Sequence, residues 1–166
     1  MTVPFVIDRM QESDIPSLQL VAAESWRATY ADIYPADYIE RFLANAYSDI
    51  ALRAALGYEQ SLFLAAKEGE RVVGFSQTGL RADEAGQKAQ LFRIYVLPAD
   101  WGRGIGRALL AQTETWLTEQ GITGYACFVH ARNEIGKAFY AKLGFVHQPA
   151  ADHDDEWCLW KQLTES

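Results

Sequence analysis

The sequence predicts an α+β (mixed α/β) fold: a largely antiparallel sheet of six to seven strands, flanked by about four helices. Three observations lead there. The 166 residues are 49% hydrophobic and 22% charged, which suits one compact domain over residues 1–166 with about 70% of its unfolded surface buried. Two short apolar runs separated by a glycine turn form an antiparallel hairpin. From there to the end, apolar runs alternate with segments of helical period, so a mixed sheet is covered by helices.

Taken in order, Phe5-Val6-Ile7 reads as the first strand. Asp14 and Pro16 open a helix whose buried face carries Ile15, Leu18, Val21 and Ala22, and Trp26, Thr29 and Tyr30 extend that face. Pro35 starts a second helix, with Tyr38, Ile39, Phe42 and Leu43. Leu62–Ala66 and Val72–Ser76 are the hairpin, turned at Gly69, and a polar loop is expected over Arg81–Lys88. Gln90–Val96 is the next strand, stopped by Pro98. Gly104–Glu119 is a helix burying Ile105, Leu109, Leu110, Thr113, Trp116 and Leu117, capped by Gly121. Tyr125–Val129 is a strand and Asn133–Leu143 a helix stopped at Gly144. Phe145-Val146 and Trp157–Leu163 close the sheet around the polar turn Pro149–Glu156.

Composition excludes several classes of function. No run approaches the ~20 apolar residues a membrane span needs, and Met1–Met10 lacks the basic start and apolar run of a signal peptide. Cys127 and Cys158 lie in apolar runs, as reduced core thiols do, so the expected location is the cytoplasm. Fifteen Lys+Arg against twenty-two Asp+Glu leave a net charge of −7. The one local basic concentration is Arg103 with Arg107, too little for a nucleic-acid binder. The acidic excess promotes solubility and also suits a cationic small substrate. His147, Asp152, His153, Asp154 and Asp155 match no zinc or calcium loop spacing and read as a solvated turn; no metal is expected.

The segment Leu91–Leu110 carries the most chemistry. A strand ends, glycines turn the chain and a helix begins, which aims free backbone N–H groups and the positive end of a helix dipole at one point, a ready anion site. A P-loop is excluded, because no Lys-Ser or Lys-Thr follows the glycines. The dinucleotide fingerprint fails as well, since its last glycine falls on Arg107 or, one frame on, on Leu109.

Trp101-Gly102-Arg103-Gly104-Ile105-Gly106 is similar to the pyrophosphate turn of the GNAT superfamily of acyl-CoA-dependent N-acyltransferases, Gln/Arg-x-x-Gly-x-Gly/Ala, with Trp101 in place of the polar first residue. Ile94–Pro98 resembles that family's splayed fourth strand. Asn133–Phe145 resembles its second signature, in which an Asn precedes a Tyr by seven residues, about two helical turns. The resemblance runs from Leu62 to Phe145. It implies a sheet splayed in the middle and acetyl-CoA as acyl donor. Ile94, Tyr95, Val96, Gly102, Arg103, Gly104, Ile105, Gly106, Arg107 and Asn133 would bind the coenzyme. Val96 N–H would stabilise the oxyanion, and Tyr140 would be the general acid facing the thioester sulfur.

Transfer to an amine needs that amine neutral; for an amine of pKa near 10.4, deprotonation at pH 7 costs about 4.6 kcal/mol. Many relatives carry a Glu for this at the position held here by Gln90 or by Phe128, neither of them ionisable. Glu24, Asp32 and His130 are the candidate bases, acting through ordered water. Trp26, Tyr30 and Tyr34 fall on the early helices that form the acceptor wall in that family, where aromatic faces can hold a cation. The Trp-x-x-x-Tyr stretch near Pro35 resembles a branch that includes polyamine acetyltransferases. The expected function is therefore direct transfer, in a ternary complex, of an acetyl group to a primary amine such as a polyamine, by a monomer or homodimer. Two alternatives stay open: an acetyltransferase acting on protein N-termini or lysines, and a non-catalytic acyl-CoA-binding sensor.

Overall fold

In a computed structural model, residues 4–163 are described; the first three residues of the stretch read for a leader lie outside them. Strand β1 (Val6–Arg9) leads into α1 (Ile15–Tyr30), α2 (Ala36–Ala46) and α3 (Asp49–Leu56). The hairpin pair β2 (Ser61–Glu68) and β3 (Arg71–Asp83) is followed by β4 (Gly86–Val96), α4 (Ile105–Glu119) and β5 (Gly124–His130). Helix α5 (Glu134–Lys142), β6 (Val146–His147) and β7 (Glu156–Gln162) complete the chain.

The sheet order is β1-β2-β3-β4-β5-β7-β6. Every pairing is antiparallel except β4 with β5, which is parallel and confined to Gln90 opposite Ala126 and Leu91 opposite Cys127. Beyond Leu91 the two strands part, and this is the splay. Side chains alternate between the faces of a strand. On β3, Phe75 packs toward Tyr47 and Tyr95, while Gly74 backs onto Ile105 of α4. Helices α1 and α4 bury Leu18, Val21, Ala22, Leu109, Leu110 and Leu117 against the sheet.

Three expectations need correction. The Arg81–Lys88 segment is not a loop: β3 and β4 pair out to Asp83 opposite Gly86, and Asp83 folds the tip by accepting from Ala85 N–H at 2.9 Å. This end of the ribbon is exposed, so its residues are polar and carry no alternating pattern. Helix α3 went unread, because it is two turns long and exposes Ile50. Its start is capped by Ser48 Oγ, which accepts from Ala51 N–H at 3.1 Å. Trp116 is only partly buried; it packs at the edge of the core.

Candidate active site

Two cavities meet where β4 and β5 part. The first, about 600 Å³, lies between the free edge of β4, the start of α4 and α5. Ile94, Tyr95 and Val96 line it because β5 no longer covers them. The turn into α4 holds Gly102 at φ 85° and Gly104 at φ 81°, a left-handed backbone that glycine adopts without strain. Nothing lies within 4 Å of the place a Cβ on Gly104 would occupy. Ala108 N–H donates to Gly104 O at 3.0 Å, so the N–H groups of Ile105, Gly106 and Arg107 are left without an intrahelical acceptor. A Cβ on Gly106 would come within 2.7 Å of the Phe139 ring, so glycine lets α5 approach.

Trp101 lines this cavity and ties the turn down: its indole N–H donates to Val96 O at 2.9 Å. Arg107 lines it too. Arg103 does not; its guanidinium pairs with Asp100 at 2.7 Å and Glu68 at 3.2 Å. Asn133 caps α5, its Oδ1 accepting from Gly136 N–H at 2.8 Å, and it borders the cavity from there. Phe139 and Phe145 meet the Tyr140 ring in edge contacts, each centroid 5.3 Å away. Burial pushes its phenol well above the ordinary tyrosine range, with Cys127 and Tyr30 adding to the shift. It therefore keeps its proton and can donate it. A polyanionic, elongated cofactor such as coenzyme A fits this set: free amides and Arg107 at one end, an uncovered strand edge along the middle, a proton donor at the other.

The second cavity, about 590 Å³, lies under α1 and α2. Trp26 stacks on Phe42 at 4.0 Å and meets Tyr30 at a tilt at 4.2 Å, and Tyr34 meets Tyr38 at a tilt at 4.5 Å. Asp154, Asp155 and Glu156 line the cavity with these rings; the Asp154 carboxylate is exposed and lies 2.9 Å from His153 Nδ1. Asp154 adopts φ 52°, a strained value for a residue with a side chain. Burial pushes the Tyr34 phenol up to about 12, with Tyr38 next among the causes. The two cavities share Tyr30, Phe92, Arg93, Tyr95 and Phe128, so one opens onto the other.

Of the residues singled out as bases, Glu24 and Asp32 are exposed and line neither cavity. Asp32 contributes only its carbonyl, to Arg132 Nη2 at 2.8 Å. His130 is buried and lines the second cavity. Its Nδ1 accepts from Arg132 N–H at 3.0 Å, which leaves the proton of a neutral ring on Nε2. Gln90 lines neither cavity; Phe128 lines both. Sequence reasoning missed the role of Asp154–Glu156 as a cavity wall, and it missed Arg93. The acidic run was visible, but its location depends on the β5–β7 ladder, which sets Glu156 opposite His130. Among the described residues no group of three or more His, Cys, Asp or Glu gathers as metal ligands, and no helix is long and apolar enough to cross a membrane.

Comparison with known proteins agrees with this arrangement. Residues 23–145 match the acetyltransferase (GNAT) family. The chain is 35% identical over 143 residues to a spermidine N(1)-acetyltransferase of Thermoplasma acidophilum, covering 84% of this chain and 86% of that one. An uncharacterised N-acetyltransferase of Bacillus subtilis, YuaI, is 31% identical over 72% of this chain and 68% of its own. Among solved structures, the PaiA N-acetyltransferase of Thermoplasma acidophilum in complex with coenzyme A superposes with a TM-score of 0.88 at 31% identity, covering 96% of this chain and 99% of that one. The splayed sheet, the glycine turn and these relatives agree: the chain belongs to the acetyltransferase (GNAT) family, and it is an N-acetyltransferase that takes its acetyl group from acetyl-CoA.

Proposed function

We propose that the acceptor is the primary amine of a small cationic molecule, a polyamine being the class that fits, and that transfer is direct within a ternary complex. The observation that carries this reading is the second cavity: three acidic residues line it together with an aromatic wall, and it shares lining residues with the coenzyme cavity. Carboxylates and π faces both attract ammonium groups. The relative that acetylates spermidine supports the same class.

Acetyl-CoA supplies the activated acyl group. The chain's own residues divide the remaining work. Ile105, Gly106 and Arg107 hold the pyrophosphate through the helix start, with Gly102 and Gly104 giving the turn its shape. Ile94, Tyr95 and Val96 offer a strand edge to the pantetheine amides, and the Val96 N–H is the donor for the thioester oxygen. Asn133 keeps α5 capped, so Tyr140 faces the cavity as the proton donor to the leaving sulfur. Trp26, Tyr30 and Tyr34 enclose the amine.

Free-thiol release from acetyl-CoA across an amine panel, covering spermidine, amino acids, aminoglycosides and N-terminal peptides, tests this. The expected result is turnover on polyamines with little on peptides. Tyr140→Phe should lower kcat by about 10²-fold or more and leave acetyl-CoA affinity intact. Preference for peptides would instead establish a protein acetyltransferase. Tight acetyl-CoA binding with no release on any amine would establish a sensor, the reading that Phe128 in place of a carboxylate favours.

A further inference from the structure

The passage between the two cavities holds one charged side chain, and it is a cation. Arg93 stands opposite Gln77 across the β3–β4 ladder. Its Nε and Nη2 donate to Gln77 Oε1 at 3.1 and 2.8 Å. Its guanidinium lies 5.2 Å from the Tyr47 ring centroid and 5.3 Å from that of Phe63. It is partly buried, and among the described residues it pairs with no carboxylate. Arg27 and Arg103, by contrast, both do. Partly withdrawing a cation from water beside a neutral amide and two rings, with no counter-charge, is costly, and Arg93 does so where both cavities meet.

This placement bears on the unsolved part of the chemistry. An alkyl amine is an ammonium at neutral pH and cannot attack until it loses a proton. No base stands at the passage: Phe92 and Phe128 are apolar, and Tyr30 and Tyr95 are phenols that burial keeps protonated. We propose that Arg93 takes the place of a general base: its fixed positive charge, with the apolar walls around it, drives the acceptor ammonium at the passage to release its proton to water. A neighbouring cation and desolvation are the two standard ways to favour a neutral amine.

The other charged and titratable groups divide by position. Asp154 and Asp155 line the acceptor cavity from the turn before β7, Glu156 from the start of β7, His130 from β5, Tyr34 and Tyr38 from α2 and its approach, and Tyr47 from beyond α2. The three carboxylates line the acceptor cavity and not the coenzyme cavity, whereas Arg93 lines both. Across the passage, Tyr140 and Lys142 face in from α5, and Asp100 and Arg107 flank the start of α4. A molecule with two ammonium groups therefore keeps its charge at the carboxylate end and loses it beside Arg93. The step balances. The ammonium gives one proton to water and the amine nitrogen bonds to the acetyl carbon. The carbon–sulfur bond breaks, the sulfur takes a proton from Tyr140, and the nitrogen's second proton restores the phenol through solvent. The net products are acetamide, free thiol and one proton.

The inference rests on the small-amine reading above, and the test separates the two. The pH profile of kcat reports groups in the bound complex. In Arg93→Gln its ascending limb should move up by about one pH unit, so that kcat at pH 7 falls about tenfold and recovers at high pH. Arg93→Lys should keep the wild-type limb. Gln77→Glu, which places a counter-charge beside an intact Arg93, should move the limb in the same direction as Arg93→Gln and serves if that variant does not fold. A readout independent of turnover is proton release when spermidine binds the enzyme–coenzyme A complex, measured by calorimetry in buffers of different ionisation enthalpy. Wild type should release protons and Arg93→Gln fewer. A loss of kcat equal at all pH values, an unmoved limb, or an effect confined to KM for carboxylate-bearing amines would overturn the role of Arg93 and leave the acceptor class standing. No binding of any amine by wild type would overturn both.

Discussion

The two cavities are nearly equal in size and are built in opposite ways. The coenzyme cavity is made of backbone: an uncovered strand edge, glycines at positive φ and the first N–H groups of a helix. These come from one stretch of chain, Leu91 to Arg107, with α5 laid across it. The acceptor cavity is made of side chains drawn from distant segments, the rings of residues 26–47, Arg93 on β4 and the carboxylates of residues 154–156. A backbone site recognises what all relatives share, the acyl donor. A side-chain site can change residue by residue.

If that contrast is right, damage to the first cavity should be severe and indifferent to the acceptor. Gly106→Val carries the largest expected effect on coenzyme binding. Its Cβ would meet the Phe139 ring at 2.7 Å, and overpacking of this kind costs about 1–3 kcal/mol. Phe139 would be driven into the space it lines, so coenzyme A affinity should fall at least about tenfold by calorimetry. Adding Phe139→Ala to the same chain should restore most of the thermal stability. If Gly106→Val binds coenzyme A normally, the close approach of α4 and α5 is not what shapes the cavity.

The smallest effect probes the enclosure of the acceptor wall. Burial holds the Tyr34 phenol at about 12, above the ordinary value near 10 that it has in the unfolded chain. The protonated form is therefore favoured by folding. The stability it contributes is complete below pH 10 and is lost as pH rises toward 12. Urea unfolding at pH 8 and pH 11 should show wild type losing more stability than Tyr34→Phe over that interval. Equal losses would mean that the ring is open to water and encloses nothing.

The same contrast explains what the sequence disclosed. Gly102, Gly104 and Gly106 stood out because a turn and a close approach allow few residue types, and Asn133 and Tyr140 because Asn133–Phe145 resembles the family's second signature. Six to seven strands were anticipated, and the buried central ones announce themselves as apolar runs. The outer half of the β3–β4 ribbon was not, because exposed strands carry no such pattern. Asp154–Glu156 read as a solvated turn because only the register of β5 against β7 carries them to the cavity. Arg93 drew no notice, since one arginine in a strand acquires meaning from the missing carboxylate around it. Arg103, expected at the phosphates, is instead held by Asp100 and Glu68, an ion pairing that no short-range spacing discloses.

We infer that the second cavity recognises an acceptor by a second positive charge. The most direct measurement is the ratio of kcat/KM for spermidine to that for butylamine, in wild type and in a variant carrying Asp154→Asn, Asp155→Asn and Glu156→Gln. The expected ratio is well above one in wild type and falls by about tenfold or more in the variant, with acetyl-CoA affinity unchanged. A ratio that survives the loss of all three carboxylates would contradict it.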